Sequence, residues 1–340
     1  MLERPPGRLR SLNLVSTLRC NLRCMMCDIW KTKYEHLDME DSVLQKIGCS
    51  DVVKDGYKTL GKDFNISVTG GEPFLSENLE SVLSFIKETF PGNPYTITTN
   101  GTLTDKIIRA FSKFGVKGSR LHVSIDGMKD THDLHRGMPG SFNKTMKTIK
   151  AVRKHFPWVR LKMKFTITKE NLGEITDAYE LSRQMGMEFG AKPVEVAIHY
   201  TNPGGKPGFG TSFSGPDRLV ISEQLKKVAS DCLRRGESAN AAFFLDTIRY
   251  INKGRTIMDT CLSPLGTAFV MPNGDVFRCL HFNSVGNLAE GSFDDAWTSR
   301  TSMSVIESAR KMDCGGCASF HGSYGNYADM FLHSIKNIFP

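Results

Sequence analysis

Residues 18–30 read LRCNLRCMMCDIW, and the three cysteines in this stretch, Cys20, Cys24 and Cys27, decide how the rest of the chain is read. Just upstream lies the short apolar run Leu12–Val15, which places the cysteines in a loop at the end of a first strand. Iron in a [4Fe–4S] cluster takes thiolate ligands, and a short loop wraps three corners of such a cubane. Three thiolates leave the fourth iron open to a small chelating ligand, as catalytic metals keep an open position elsewhere. Zinc is the rival metal, because three cysteines with one histidine or aspartate close a tetrahedral site.

Outward from this loop, apolar runs recur at Phe64–Val68, Tyr95–Thr98, Leu121–Ile125, Leu161–Ile167 and Val194–Ile198. Helix-like segments lie between them near 39–60, 76–89, 104–114, 141–156 and 171–186, with Ser76, Thr104 and Ser141 as expected caps. Six strands alternating with helices predict an α/β fold with a parallel sheet, whose chemistry sits at the C-terminal strand ends. The Gly- and Pro-rich stretch TNPGGKPGFGTSFSGP, residues 201–216, reads as a loop and a candidate lid, and helical sequence resumes over about Ser222–Lys253. The run Ala268–Met271, the turn Pro272-Asn273-Gly274-Asp275 and a second run into Cys279 predict a β-hairpin. A last helix is expected over about Asn326–Ile338.

Short polar motifs fall where the expected strands end. TGGEP (Thr69–Pro73) follows strand two, TTNG (Thr98–Gly101) strand three and SIDG (Ser124–Gly127) strand four, with HRG at His135–Gly137. Glycines let backbone approach a ligand closely, a carboxylate accepts from an ammonium, and a guanidinium grips a carboxylate with two prongs. Arg136 is therefore the candidate for a ligand carboxylate, and His132 and His135 read as surface or supporting residues.

A CX3CX2C loop after strand one, followed by these motifs in this order, resembles the radical S-adenosylmethionine (SAM) superfamily across residues 12–200. One departure is Met26, where the residue before the last cysteine is usually aromatic. The resemblance implies a partial (β/α)6 TIM-like barrel with a cluster on Cys20, Cys24 and Cys27. It also implies that Gly70, Gly71 and Glu72 receive the SAM amino group, with Ser124, Arg136 and Asn100 as further SAM contacts. The implied chemistry is reductive cleavage of SAM to a 5′-deoxyadenosyl radical, which takes a hydrogen atom from substrate.

Cys261, Cys279, Cys314 and Cys317 form a second set. Four thiolates close a cluster completely, and a hairpin plus CX2C is also zinc-ribbon-like. CX12GX4C followed by CX2C resembles the twitch domain, the shortened relative of SPASM, which implies one auxiliary [4Fe–4S] cluster in a small C-terminal α+β domain. The expected organisation is a radical SAM core over 1–220, a helical connection over 221–255, the auxiliary domain over 256–325 and a C-terminal helix over 326–340. Cys49 and Cys232 read as small buried apolar residues.

The chain has 340 residues, 40% hydrophobic and 24% charged, with a formal charge of +8 that suits a phosphorylated or carboxylated substrate. Its basic residues alternate with acidic ones, without the basic–aromatic patch of a nucleic-acid reader. Nine cysteines without a signal peptide or membrane span predict a cytoplasmic protein whose thiols serve metal and not disulfides.

Three functions follow. The first is oxidation or rearrangement of a small polar molecule such as a sugar or alcohol. The second is peptide modification by a maturase, for which strand one at residue 12 leaves little room for a preceding recognition domain. The third is a non-catalytic electron carrier, which needs neither the GGE turn nor Arg136. A flavodoxin or ferredoxin is the expected reductant, and His199 and Tyr200 are the candidates for handling a substrate proton.

Overall fold

The alternating apolar runs assemble into parallel strands laid side by side in chain order. A computed structural model describes residues 7–32, 38–194, 213–256, 260–314 and 317. The strands are β1 (Ser11–Thr17), β2 (Asn65–Gly70), β3 (Tyr95–Thr99), β4 (Arg120–Ser124), β5 (Arg160–Ile167) and β6 (Glu188–Pro193). Each pairs in parallel with the next, Leu12 opposite Ile66, Ile97 opposite Leu121 and Met163 opposite Phe189. These six form the wall of a partial barrel. The helices are α1 (Asp41–Cys49), α2 (Asp51–Leu60), α3 (Leu79–Thr89), α4 (Thr104–Phe114), α5 (Lys129–Arg136), α6 (Ser141–His155) and α7 (Ile175–Gln184).

Helix faces and strand alternation bury one continuous core. In α4, Ile107, Phe111 and Phe114 recur at helical spacing and are buried, while β5 buries Leu161, Met163, Phe165 and Ile167 at every second position. Several local expectations need correction. The sixth described strand is Glu188–Pro193, where Phe189, Ala191 and Pro193 alternate inward beside β5; the strand expected over Val194–Ile198 lies, apart from Val194, outside the described residues. The segment 39–60 is two helices, broken at Ser50, whose hydroxyl accepts from the Val53 amide to cap α2. The caps of α3, α4 and α6 are Asn78, Leu103 and Gly140, none with a side-chain capping bond, and not Ser76, Thr104 and Ser141. Helix α5 was not anticipated.

The C-terminal part begins with α8 (Gly215–Arg234), capped by a Ser214–Asp217 box, and α9 (Ser238–Lys253). Helix α8 starts well before Ser222, so the expected division at 220/221 falls inside one helix. Then follow α10 (Ser263–Gly266), β7 (Thr267–Val270), β8 (Asp275–Phe277), β9 (Gly286–Asn287), α11 (Phe293–Thr298) and α12 (Arg300–Arg310). The predicted hairpin is β7–β8, with Phe269 opposite Phe277.

Its placement was not legible from the sequence. Strand β7 pairs in parallel with the free side of β1, so one sheet runs β6-β5-β4-β3-β2-β1-β7-β8-β9. A second contact fixes the same junction: Asp294 of α11 accepts from Ser50 Oγ (2.6 Å) and from the amides of Asp51 (2.9 Å) and Val52 (3.0 Å) at the start of α2. The carboxylate thus satisfies otherwise unpaired amides and complements the helix dipole. The candidate lid at 201–216 lies mostly, and the helix at 326–338 wholly, outside the described residues. No helix among the described residues is long and apolar enough to cross a membrane.

Asp294→Ala should lower unfolding stability in urea by about 2 kcal/mol, the size of a lost charged helix cap. Asp294→Asn should recover part of that loss.

Candidate active site

Because all six barrel strands point the same way, the loops after β1, β2, β3 and β4 meet at one edge. The cysteine loop leaves β1 at Thr17 and is held on two sides by backbone bonds. On one side the Gly71 amide donates to Thr17 O and the Glu72 amide to Arg19 O, each at 2.8 Å. On the other the Arg23 amide donates to Arg136 O (3.1 Å) and the Met25 amide to His135 O (2.9 Å), at the end of α5.

The glycines are required by this closeness. Gly70 has φ +139, and a Cβ there would sit 2.1 Å from Thr17 O; a Cβ on Gly71 would sit 2.2 Å from Arg19 O. What the GGE glycines approach here is therefore the cysteine loop itself.

Cys24 is buried, Cys20 and Cys27 are half-buried, and none of the nine cysteines forms a disulfide. Burial pushes the Cys20 thiol up to about 12 and the Cys27 thiol up to about 11, and raises Cys24 against the pull of Arg136. Thiolates so disfavoured by desolvation are stabilised by a bound cation, and iron in a cluster supplies that charge. Among the described residues, no three cysteine, histidine, aspartate or glutamate side chains converge tightly enough to hold one metal ion. A cubane spreads its thiolates over separate irons, so the donor set suits a cluster.

Glu72 is fully buried. It accepts from Thr99 Oγ1 (2.7 Å), the Asn100 amide (2.7 Å) and the Phe74 amide (3.3 Å). A carboxylate offers about four acceptor sites, so one direction stays open to an ammonium. Burial pushes Glu72 up to about 7, against the hydrogen bonds that favour its charged form.

Asn100 does not offer its side chain to the pocket. Its Nδ2 donates to Asn21 Oδ1 (2.9 Å) and its Oδ1 accepts from the Thr102 amide and hydroxyl, tying the cysteine loop to the end of β3. Ser124 stands half-buried at the last position of β4.

Arg136 lies between Asp126 and the cysteine loop. Its Nη2 pairs with Asp126 Oδ2, and its Nη1 lies 3.7 Å from Cys24 Sγ; its buried Nε has no partner among the described residues. Asp126 is completely buried and also accepts from the Thr166 amide. The guanidinium is therefore neutralised by a residue that sequence reasoning passed over, although Asp126 stands within the quoted SIDG motif. His132 and His135 are likewise fully buried, not superficial, and burial lowers both, His132 to about 4. Neutral imidazole His132 Nδ1 accepts from the Asp126 amide (3.2 Å). His199 and Tyr200 lie outside the described residues.

A small apolar cluster joins the two cysteine regions: Val15, Leu18 and Ile29 pack with Met271 and Phe277 of the hairpin, against Cys20, Cys27 and Leu280. In the second region Cys261, Cys279, Cys314 and Cys317 are all half-buried. Cys232 is buried as expected, whereas Cys49 is exposed at the end of α1.

The sequence profile of the radical SAM superfamily matches residues 14–181, and that of the SPASM iron–sulfur cluster-binding domain matches residues 261–318. The chain belongs to the radical SAM superfamily. It is an enzyme of that family with a SPASM-type domain, and its cofactors are [4Fe–4S] clusters and SAM.

Among its relatives, the AdoMet-dependent heme synthase of Methanosarcina barkeri (strain Fusaro) is 28% identical over 322 residues, spanning 88% of this chain and 86% of the relative. The subtilosin biosynthesis protein AlbA of Bacillus subtilis (strain 168) is 28% identical over 172 residues, half of this chain but 36% of AlbA. The solved structure of anSMEcpe with bound AdoMet and the Cp18Cys peptide superposes with a TM-score of 0.64 at 17% identity, over 97% of this chain and 96% of that one. At that identity the likeness is one of fold.

The carboxylate of Glu72 sets a pH expectation. Its folded value of about 7 lies above the ordinary 4.5, so protonation as pH falls through 7 removes the charge that an ammonium needs. Titration calorimetry on the anaerobic enzyme should show SAM binding weakening by up to about tenfold per pH unit below 7. Glu72→Gln should bind weakly throughout and lose this component of the pH dependence.

Proposed function

We propose that Cys20, Cys24 and Cys27 hold the SAM-binding cluster and that the chain carries out a net oxidation of a small polar or anionic molecule. With SAM and both clusters bound, the cofactors supply reductive cleavage of SAM, hydrogen-atom abstraction from substrate and an outlet for a second electron.

The chain's own residues do the positioning. Glu72 receives the SAM ammonium in its open acceptor direction. Gly70 and Gly71 keep that carboxylate against the cysteine loop, while Asn21 and Asn100 brace the loop from β3. Arg136, balanced by Asp126, faces Cys24 and favours its thiolate, and its Nε remains for a SAM carboxylate; Ser124 stands on the same edge. Val15, Leu18, Ile29, Met271 and Phe277 keep water from the space between the two cysteine regions. Cys261, Cys279, Cys314 and Cys317 hold the auxiliary cluster, whose full set of thiolates leaves no iron for substrate and suits electron transfer. The working division is a radical SAM core that ends before α8, a helical connection through α8 and α9, and an auxiliary domain over 256–325.

The observation that carries the reading is the cysteine trio, with Cys24 buried, set beside a buried carboxylate with one acceptor direction unused. The oxidative outcome is supported by the second cysteine set, of which Cys279 follows β8 of the same sheet. A small-molecule substrate is supported by the heme synthase relative, whose likeness runs through both regions. The net charge of +8 favours acidic groups on that substrate. Peptide modification is the second reading, supported by the peptide bound in the anSMEcpe structure and by the partial likeness to AlbA. A flavodoxin or ferredoxin would serve as reductant, and the cytoplasm is the fitting compartment.

Anaerobically reconstituted enzyme with SAM and dithionite should release 5′-deoxyadenosine, and Cys24→Ala should release at least about a hundredfold less, since no cluster then presents an open iron. The small-molecule fraction of a cell extract should stimulate release and the peptide fraction should not. Equal release by wild type and Cys24→Ala would refute the enzyme reading, and stimulation by peptides alone would transfer it to the second substrate class.

A further inference from the structure

Among the described residues, one cation in the auxiliary region has no acid to answer it. Arg278, immediately before Cys279, is 1% exposed. Its Nε donates to Ser302 Oγ (2.7 Å), Nη1 to Pro264 O (2.8 Å) and Nη2 to Trp297 O (2.5 Å). Its Cζ lies 3.2 Å from the centre of the Trp297 ring. Every acceptor is a neutral carbonyl or hydroxyl, and among the described residues no carboxylate lies within ion-pair distance.

A buried charge held this way is costly. Carbonyl dipoles and a π-face offset part of the desolvation, but buried cations are ordinarily paired with an anion. If the purpose were only to join α10, α11 and α12, apolar side chains of similar volume would serve at less cost. Cys279, the next residue along the chain, would bring the missing negative charge as a cluster ligand. Four thiolates on a [4Fe–4S] core give a net dianion, and reduction adds one more negative charge.

We propose that Arg278 is the fixed counter-charge of the auxiliary cluster and raises its reduction potential, so that the cluster accepts an electron from the substrate radical. This rests on the reading that Cys279 ligates that cluster. The guanidinium touches no reacting atom; it is a positioning and electrostatic residue. Its effect runs through the net charge around the cluster and its desolvation, two of the quantities that set cluster potentials.

The test uses the full-length chain carrying Cys20→Ala, Cys24→Ala and Cys27→Ala, so that only the auxiliary cluster is loaded, with its midpoint followed by redox titration monitored by EPR. Arg278→Gln removes the charge and keeps hydrogen-bonding capacity, whereas Arg278→Lys keeps the charge and loses the fork. In Arg278→Gln the ratio of reduced to oxidised cluster at a fixed poise should fall on the order of tenfold, while Arg278→Lys should stay near the parent. Failure of Arg278→Gln alone to retain the cluster would equally support a counter-charge. An unchanged midpoint in Arg278→Gln, equal shifts in both variants, or loss of the cluster in both would overturn the proposal and leave Arg278 a structural fork.

The underlying ligation is read separately. Cys279→Ser in the same background should change the cluster's EPR signature and iron retention; if it changes neither, the ligand assignment fails and the Arg278 proposal falls with it.

Discussion

Four backbone hydrogen bonds position the cysteine loop, and the candidate chemistry depends on them. Two come from the GGE turn, at Gly71 and Glu72, and two run to the end of α5, at His135 and Arg136. A backbone clamp of this kind does not depend on rotamers. It also makes the loop, the buried carboxylate and the guanidinium one unit, since Glu72 and Arg136 each belong to a clamping segment. The space at Gly70 and Gly71, where any Cβ would meet a carbonyl oxygen, is a condition for the clamp to close.

Strand β1 is the second shared part. It pairs with β2 on one side and β7 on the other, so the strand that launches the first cysteine loop is also the strand on which the auxiliary hairpin is built. The apolar cluster of Leu18, Ile29, Met271 and Phe277 fills the junction, and Asp294 ties α11 to α2 across it. A continuous sheet therefore holds the two cysteine regions at a fixed separation.

Much of this was legible in the sequence because the motifs sit at strand ends, where a parallel α/β order forces them together. The cysteine spacing, the GGE turn and the hairpin before Cys279 carried the class of chemistry. Strand β6 was not legible because EFGAKP contains glycine, proline and two charges; pairing with β5 overrides that weak propensity. The Asp126–Arg136 pair was hidden because its members are separated by a turn and a helix that periodicity did not reveal. The bond by which Asn100 braces Asn21 was not legible either, since nothing in the spacing marks the two as neighbours. Arg278 gave no signal in the sequence at all: one arginine before a cysteine is unremarkable until its burial is seen, with no acid beside it among the described residues.

The most direct test of the clamp is the iron and sulfide content of anaerobically reconstituted Gly71→Ala, read with EPR in the presence and absence of SAM. The added methyl cannot fit against Arg19 O, so the variant should hold about four irons per chain instead of about eight, with a signal that SAM no longer perturbs. A full complement of iron with an unaltered SAM-responsive signal would contradict the account.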